Sequence, residues 1–157
     1  MGEKVMNVFN QGKYFYCHNV NADNSWWNYK MNYGREMKNS MENTLSTISG
    51  GNILDVATGS GGFITFLIDS LESYTEITGI DCNERSIEAA RKAHSQPNIH
   101  FLLMDGTHLD FPDSHFDTVC MANSLHHMAD LPTVLSEMLR VCKPGGNVII
   151  SEMYRDG

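Results

Sequence analysis

The sequence predicts an α/β fold, a doubly wound and mostly parallel sheet with helices on both faces. Three observations predict it. From residue 52 onward, short apolar bursts alternate with runs of helical spacing. The bursts are continuously apolar rather than alternating, as expected of strands covered on both faces. The first burst ends in a glycine-rich turn that opens a helical run. Alternation of this kind implies parallel pairing through right-handed crossovers.

The elements follow in order. Asn52-Ile53-Leu54-Asp55-Val56 is the first strand. Gly62 to Leu71 places Phe63, Phe66, Leu67 and Leu71 on one helical face. Ile77-Thr78-Gly79-Ile80-Asp81 is the second strand, and Asn83 caps a helix whose inner stripe is Ile87, Ala90 and Ala93. Gln96-Pro97-Asn98 stops that helix. Ile99 to Met104 and Phe116 to Ala122 are strands three and four. Asp130 and Pro132 start a helix with Val134, Leu135, Met138, Leu139 and Val141 as its apolar side. Lys143-Pro144-Gly145-Gly146 ends it, and Asn147 to Ser151 is strand five.

Residues 1–51 read differently. Tyr14, Phe15, Tyr16, Trp26, Trp27, Tyr29 and Tyr33 crowd a polar, Asn-rich stretch, with a helix expected from about Trp27 to Ser49 and Gly50-Gly51 as a hinge. Two roles stay open for this N-terminal helical, aromatic segment: docking on the sheet, or a lid over a substrate pocket. Residues 52–157 are then the α/β domain.

A chain of 157 residues with 41% apolar content can bury one core. The net charge of −8, with scattered Lys and Arg, argues against a nucleic-acid partner, because such binders concentrate positive charge. No stretch approaches a membrane span, and no apolar leader opens the chain. Cys17, Cys82, Cys120 and Cys142 are widely spaced, so no metal site is expected, and a reduced, cytoplasmic setting is.

Ligands of doubly wound sheets bind at the carboxyl ends of the strands. Those ends carry Ala57-Thr58-Gly59-Ser60-Gly61-Gly62, then Asp81, then Asp105-Gly106-Thr107, then Asn123-Ser124-Leu125-His126-His127. Asp81 lies about 20 residues past the turn, the spacing at which a carboxylate meets ribose hydroxyls. The set suits an adenosine-containing ligand. A dinucleotide wants GxGxxG, but the third glycine falls on Ile64, which disfavours a nicotinamide-dependent oxidoreductase. Asp55 beside a pyrophosphate would repel it, whereas beside an ammonium and a sulfonium it attracts.

Ile53 to Gly61 resembles the first motif of class I S-adenosylmethionine-dependent methyltransferases, a Rossmann-like family. Its Ala57 is similar to the variant of the ubiquinone/menaquinone biosynthesis methyltransferase group. The likeness continues through Gly79-Ile80-Asp81, Leu103-Met104-Asp105-Gly106, Phe116-Asp117-Thr118-Val119 and Leu139 to Gly146. The resemblance implies S-adenosyl-L-methionine as cofactor, held by Asp55, Ala57, Gly59, Gly61, Asp81, Cys82, Asp105, Gly106 and Asn123. In it Asp81 meets the ribose, Asp105 with Gly106 or Thr107 lies near the adenine, and main chain at Ala57, Gly59 and Asn123 holds the methionine part.

Each residue also has a plainer role. Asp55 can bond to glycine-loop amides, Asp81 can serve a helix N-terminus, and Asp105 can form a turn. Asp110, Asp113 and Asp117 read as loop and surface carboxylates. His126 and His127 read as a wall or helix start rather than as a base, and no catalytic residue is assigned. The implied function is methyl transfer to a small-molecule acceptor, with a non-catalytic cofactor-binding or interaction module as the alternative.

Strand five is followed by only a few residues, whereas relatives add a helix and an antiparallel hairpin that completes a seven-stranded sheet. The chain therefore reads as truncated after its fifth strand, leaving an open apolar edge. Truncation, a homodimer through that edge, or coverage by the N-terminal segment would each account for it. The first two are the favoured expectations.

Overall fold

A computed structural model of the chain describes residues 6–10, 13–19, 42–43 and 45–153. The strands are β1 (Met6–Asn10), β2 (Lys13–Asn19), β3 (Asn52–Val56), β4 (Glu76–Asp81), β5 (Ile99–Leu103), β6 (Phe116–Ala122) and β7 (Cys142–Met153). The helices after residue 52 are α1 (Gly62–Ser70), α2 (Glu84–Ala93) and α3 (Leu131–Val141), with a short 3-10 turn at Leu125–His127.

The strands form one sheet in the order β1-β2-β7-β6-β3-β4-β5. From β3 the chain steps to β4 and β5, then crosses back to β6 and β7, so strand order reverses between β3 and β6. The five strands from β3 to β7 are mutually parallel. The crevice at that reversal is where a ligand settles in such sheets.

Two apolar layers sandwich the sheet. Alternate residues of each strand face opposite ways, so Ile53 joins Ile64, Leu67, Ile77 and Ile87 under α1 and α2. Leu54 and Val56 join Val119, Val134, Met138 and Val148 under α3. This double coverage explains the unbroken apolar character of the strands. The expected caps are present: Asn83 accepts from the amides of Arg85 and Ser86, and Asp130 accepts from the Thr133 amide.

Two expectations change. The first is the sheet edge. β2 runs antiparallel along β7, with Lys13 opposite Met153 and Asn19 opposite Asn147, and β1 pairs with β2. The edge expected to be open, and offered for a homodimer, is already occupied by this hairpin. A sheet of five strands becomes one of seven, with residues 6–10 and 13–19 of the N-terminal segment as strands, while the helix expected from about Trp27 to Ser49 lies mostly outside the described residues. Tyr14, Phe15 and Tyr16 fall on β2, where aromatic side chains favour extended backbone and an unpaired ladder offers partners. Trp26, Trp27, Tyr29 and Tyr33 lie outside the described residues.

The second change concerns Lys143-Pro144-Gly145-Gly146. These residues belong to β7, as an irregularity in which Phe116 pairs with Cys142 and Thr118 with Asn147. Asp117 alone opposes these four residues, three more than a regular ladder would hold. Its carboxylate accepts from Lys143 Nζ at 2.8 Å and from the Asn52 amide at 2.9 Å, tying three strands together. A Cβ on Gly146 would stand 2.7 Å from the Asp117 carbonyl oxygen, so the close approach requires glycine. Asp117 is thus a structural joint on β6 as well as a part-exposed carboxylate, its side chain 39% exposed.

Arg140 on α3 anchors the loop after β5. Its guanidinium donates to Glu137 at 2.7 and 2.9 Å, to Asp113 at 2.8 Å and to the carbonyls of Leu109 and Phe111. Glu137 also accepts from the Leu109 amide, and Arg140 holds its carboxyl down to about 2. Charge-assisted bonds of this kind contribute about 2 kcal/mol, and Arg140→Met is expected to lose that much in urea unfolding at pH 7. A depressed carboxyl stabilises above its ordinary range, and that contribution disappears as pH falls from 4.5 toward 2. The difference between wild type and variant is expected to narrow over that window.

Candidate cofactor site

The glycine turn that follows β3 sits at the crevice. Ala57, Gly59 and Gly61 adopt φ of 56°, 55° and 84°, so the chain reverses through three left-handed residues. Ala57 holds this conformation with a Cβ, at a cost that glycine avoids. The turn is tied to β4 twice. The Thr58 amide donates to the Ile80 carbonyl at 2.8 Å, and the Gly59 amide donates to Asp81 Oδ2 at 2.9 Å.

Asp81 ends β4 with its other oxygen, Oδ1, accepting from the Asn83 amide at 2.8 Å. The carboxylate therefore both steadies the start of α2 and locks the glycine turn. A carboxylate accepts about four hydrogen bonds, so capacity remains for ligand hydroxyls. Above the turn there is room: a Cβ built on Gly59 or Gly62 meets no atom within 4 Å.

Asp55 lies deeper than a strand-tip residue. It is 1% exposed, between Gly79 of β4 and Cys120 of β6. The Thr58 hydroxyl donates to its Oδ2 at 2.7 Å and the Cys120 thiol to its Oδ1 at 3.5 Å. Its partners are thus a hydroxyl and a thiol rather than glycine-loop amides. No cation faces it among the described residues. Burial pushes its carboxyl up to about 7, and the nearby Asp81 adds to the rise. The same burial, with the Asp55 charge, pushes the Cys120 thiol well above its ordinary value.

Asp105 follows β5 on an exposed turn, where Oδ1 accepts from both the amide and the hydroxyl of Thr107 at 2.8 Å. Those two bonds hold its carboxyl below the usual range. Gly106 has a packing reason for its identity, since a Cβ there would reach 3.2 Å from Val56. Cys82 is exposed beside Asp81. Asn123 follows β6 at φ 53° and donates its amide to the Ser151 carbonyl at 2.6 Å. His126 and His127 lie in the 3-10 turn with rings 3.9 Å apart.

The structure therefore brings the tips of β3, β4, β5 and β6 around one crevice, and corrects one feature of the expected set. The acidic groups are two at the surface, Asp81 and Asp105, and one beneath the floor, Asp55. Two contributors were missed. Thr58 stands three residues after Asp55, a spacing visible in the sequence, and Gly79 leaves the space it needs, since a Cβ there would lie 2.8 Å from the Thr58 hydroxyl oxygen. Among the described residues no cluster of His, Cys, Asp and Glu is arranged to hold a metal, and no helix is long and apolar enough to cross a membrane.

Residues 53–146 match the methyltransferase domain family. The chain belongs to that family. This methyltransferase domain is 31% identical over 153 residues to a demethylmenaquinone methyltransferase of Lactococcus lactis, covering 96% of the chain and 58% of that relative. It is 32% identical over 110 residues to the phthiotriol/phenolphthiotriol dimycocerosates methyltransferase of Mycobacterium leprae, covering 70% of the chain and 40% of the relative. A crystal structure of an S-adenosylmethionine-dependent methyltransferase from Mesorhizobium loti shares the fold with a TM-score of 0.61 at 22% identity, over 71% of this chain and 51% of that one. The methyltransferase domain spans about half the length of the relatives it matches. S-adenosyl-L-methionine is the cofactor that this family and fold imply.

The residues fit that group. Open space stands over Gly59 and Gly62, and a buried carboxyl without a cationic partner among the described residues lies beneath the turn, which suits a ligand carrying a sulfonium. An acid whose folded value lies above its unfolded value binds protons more tightly when folded. Its charged form therefore costs stability as pH rises from 3.8 to about 7, with no further change above. Asp55→Asn is expected to abolish that slope, so its stability relative to wild type should improve between pH 4 and pH 7 in chemical unfolding.

Proposed function

We propose that this chain binds S-adenosyl-L-methionine across the tips of β3, β4 and β5 and transfers its methyl group to a small-molecule acceptor. The observation that carries the reading is the 2.9 Å bond between the Gly59 amide and Asp81, set under the open space of the glycine turn. In this reading Asp81 takes the ribose hydroxyls with its remaining lone pairs, and Cys82 lies beside the nucleoside. Asp105 and Gly106 border the adenine. Main chain at Ala57, Gly59 and Asn123 takes the methionine part, Gly61 shapes the turn beside it, and Asp55 supplies negative potential from below. Residues 52–157 carry this site, and residues 1–51 serve as a docking element or as a lid over the acceptor.

When bound, the sulfonium of the cofactor supplies an already activated methyl group. The chain's own part is to orient and to shield, aligning an acceptor in line with the sulfur–methyl bond at about 3–3.5 Å. No proton-transfer group is assigned, because a base is needed only where the acceptor must lose a proton. The relatives named for demethylmenaquinone and for phthiotriol/phenolphthiotriol dimycocerosates favour an apolar small molecule. The net charge of −8 supports the absence of a nucleic-acid partner, and the widely spaced cysteines suit a reducing, cytoplasmic setting.

Titration calorimetry with S-adenosyl-L-methionine tests the first half. Asp81→Ala is expected to weaken binding at least about tenfold, since it removes charge-assisted bonds of about 1.5–3 kcal/mol. Wild-type protein that gives no heat would overturn the reading. Methyl transfer to a panel of quinone and lipid acceptors tests the second half. Binding without transfer to any of them would leave a non-catalytic cofactor-binding module.

A further inference from the structure

We propose that His94 is a positioning residue for the cofactor, clamping the far end of the glycine turn from the opposite end of α2. This rests on the cofactor reading above. His94 is the residue that closes α2, 33 residues along the chain from Gly61, and its side chain is almost wholly buried at 8% exposure. Its Nε2 lies 2.9 Å from the Gly61 carbonyl oxygen and 3.5 Å from the Thr65 hydroxyl. A carbonyl only accepts, so the geometry requires the tautomer that carries its proton on Nε2.

Gly61 needs the help. It is the N-cap of α1 without a side-chain cap, at φ 84°, in a turn built from three left-handed residues. Glycine gains wide backbone freedom when nothing restrains it. The front of the turn is held by β4 through Ile80 and Asp81. The back has only the local bonds from the Gly61 amide to Thr58 and from the Thr65 amide to Gly61, the latter at 3.3 Å. His94 adds the one tether from outside the turn and helix among the described residues. It also acts by shape, because a Cβ on Gly61 would meet the ring at 2.8 Å. Phe101 of β5 lies behind the ring, 5.8 Å between centroids.

Removing the bond while keeping a ring should let the turn drift where the methionine part is held, and leave the nucleoside contacts nearly unchanged. Calorimetry on the whole chain with S-adenosylhomocysteine and with adenosine separates these. His94→Phe is expected to weaken S-adenosylhomocysteine about fivefold, the worth of one net hydrogen bond, with adenosine changed by less than about twofold. His94→Gln, whose amide nitrogen can reach the same carbonyl, should restore S-adenosylhomocysteine binding to within about twofold of wild type.

Equal binding by the Phe variant and wild type, or equal losses in the Gln and Phe variants, or equal losses for both ligands, would overturn the clamp. The 15N shifts of the wild-type ring provide an independent arm that does not need the Phe variant to fold. A proton on Nε2 supports the clamp, and a ring protonated on Nδ1 alone overturns it. Wild-type protein that binds neither ligand overturns the cofactor reading instead, and the ring shifts still decide the clamp.

Discussion

The bond between the Gly59 amide and Asp81 joins two features that the sequence keeps 22 residues apart. It links the turn after β3 to the tip of β4, so the geometry of the crevice follows from adjacent parallel strands rather than from loop packing. The pairing of Asp55 with Gly79 and of Val56 with Ile80 sets the register that makes this bond possible. A slip of one residue would turn Asp81 to the other face of the sheet. Everything placed around the turn, from Thr58 beneath it to Asn123 beside it, depends on that register.

The buried carboxyl gives the site its electrostatic character. Isolated carboxylates are rarely tolerated at 1% exposure, because desolvation outweighs a hydroxyl and a thiol donor. A floor of this kind is costly for the fold alone and favourable toward a cation. Asp81 and Asp105 differ from it in being solvated and held by backbone amides. The three acidic groups therefore act through different physics despite sharing one crevice.

Much of the fold was legible because the signals were local. Apolar runs marked β3 to β7, Asn83 and Asp130 marked helix starts, and the glycine turn marked the crevice. What escaped depended on contacts distant in sequence. The hairpin of β1 and β2 belongs to the sheet only because β7 offers an edge, and aromatic crowding at Tyr14 to Tyr16 does not distinguish a strand from a docked helix. The break in β7 at Lys143 to Gly146 reads as a helix stop, since only Asp117 on a neighbouring strand explains its closure. His94 lacked any motif, and its meaning comes from facing Gly61 across a helix length.

The placement of the thiols has a practical side. Cys120 and Cys142 are buried, with burial pushing the latter up to about 12, while Cys82 is exposed at the rim of the crevice. Among these three described cysteines, an alkylating fluorophore meets an accessible sulfur only at Cys82, one residue beyond Asp81. A dye carried there stands at the mouth of the crevice, where its emission reports on whatever enters.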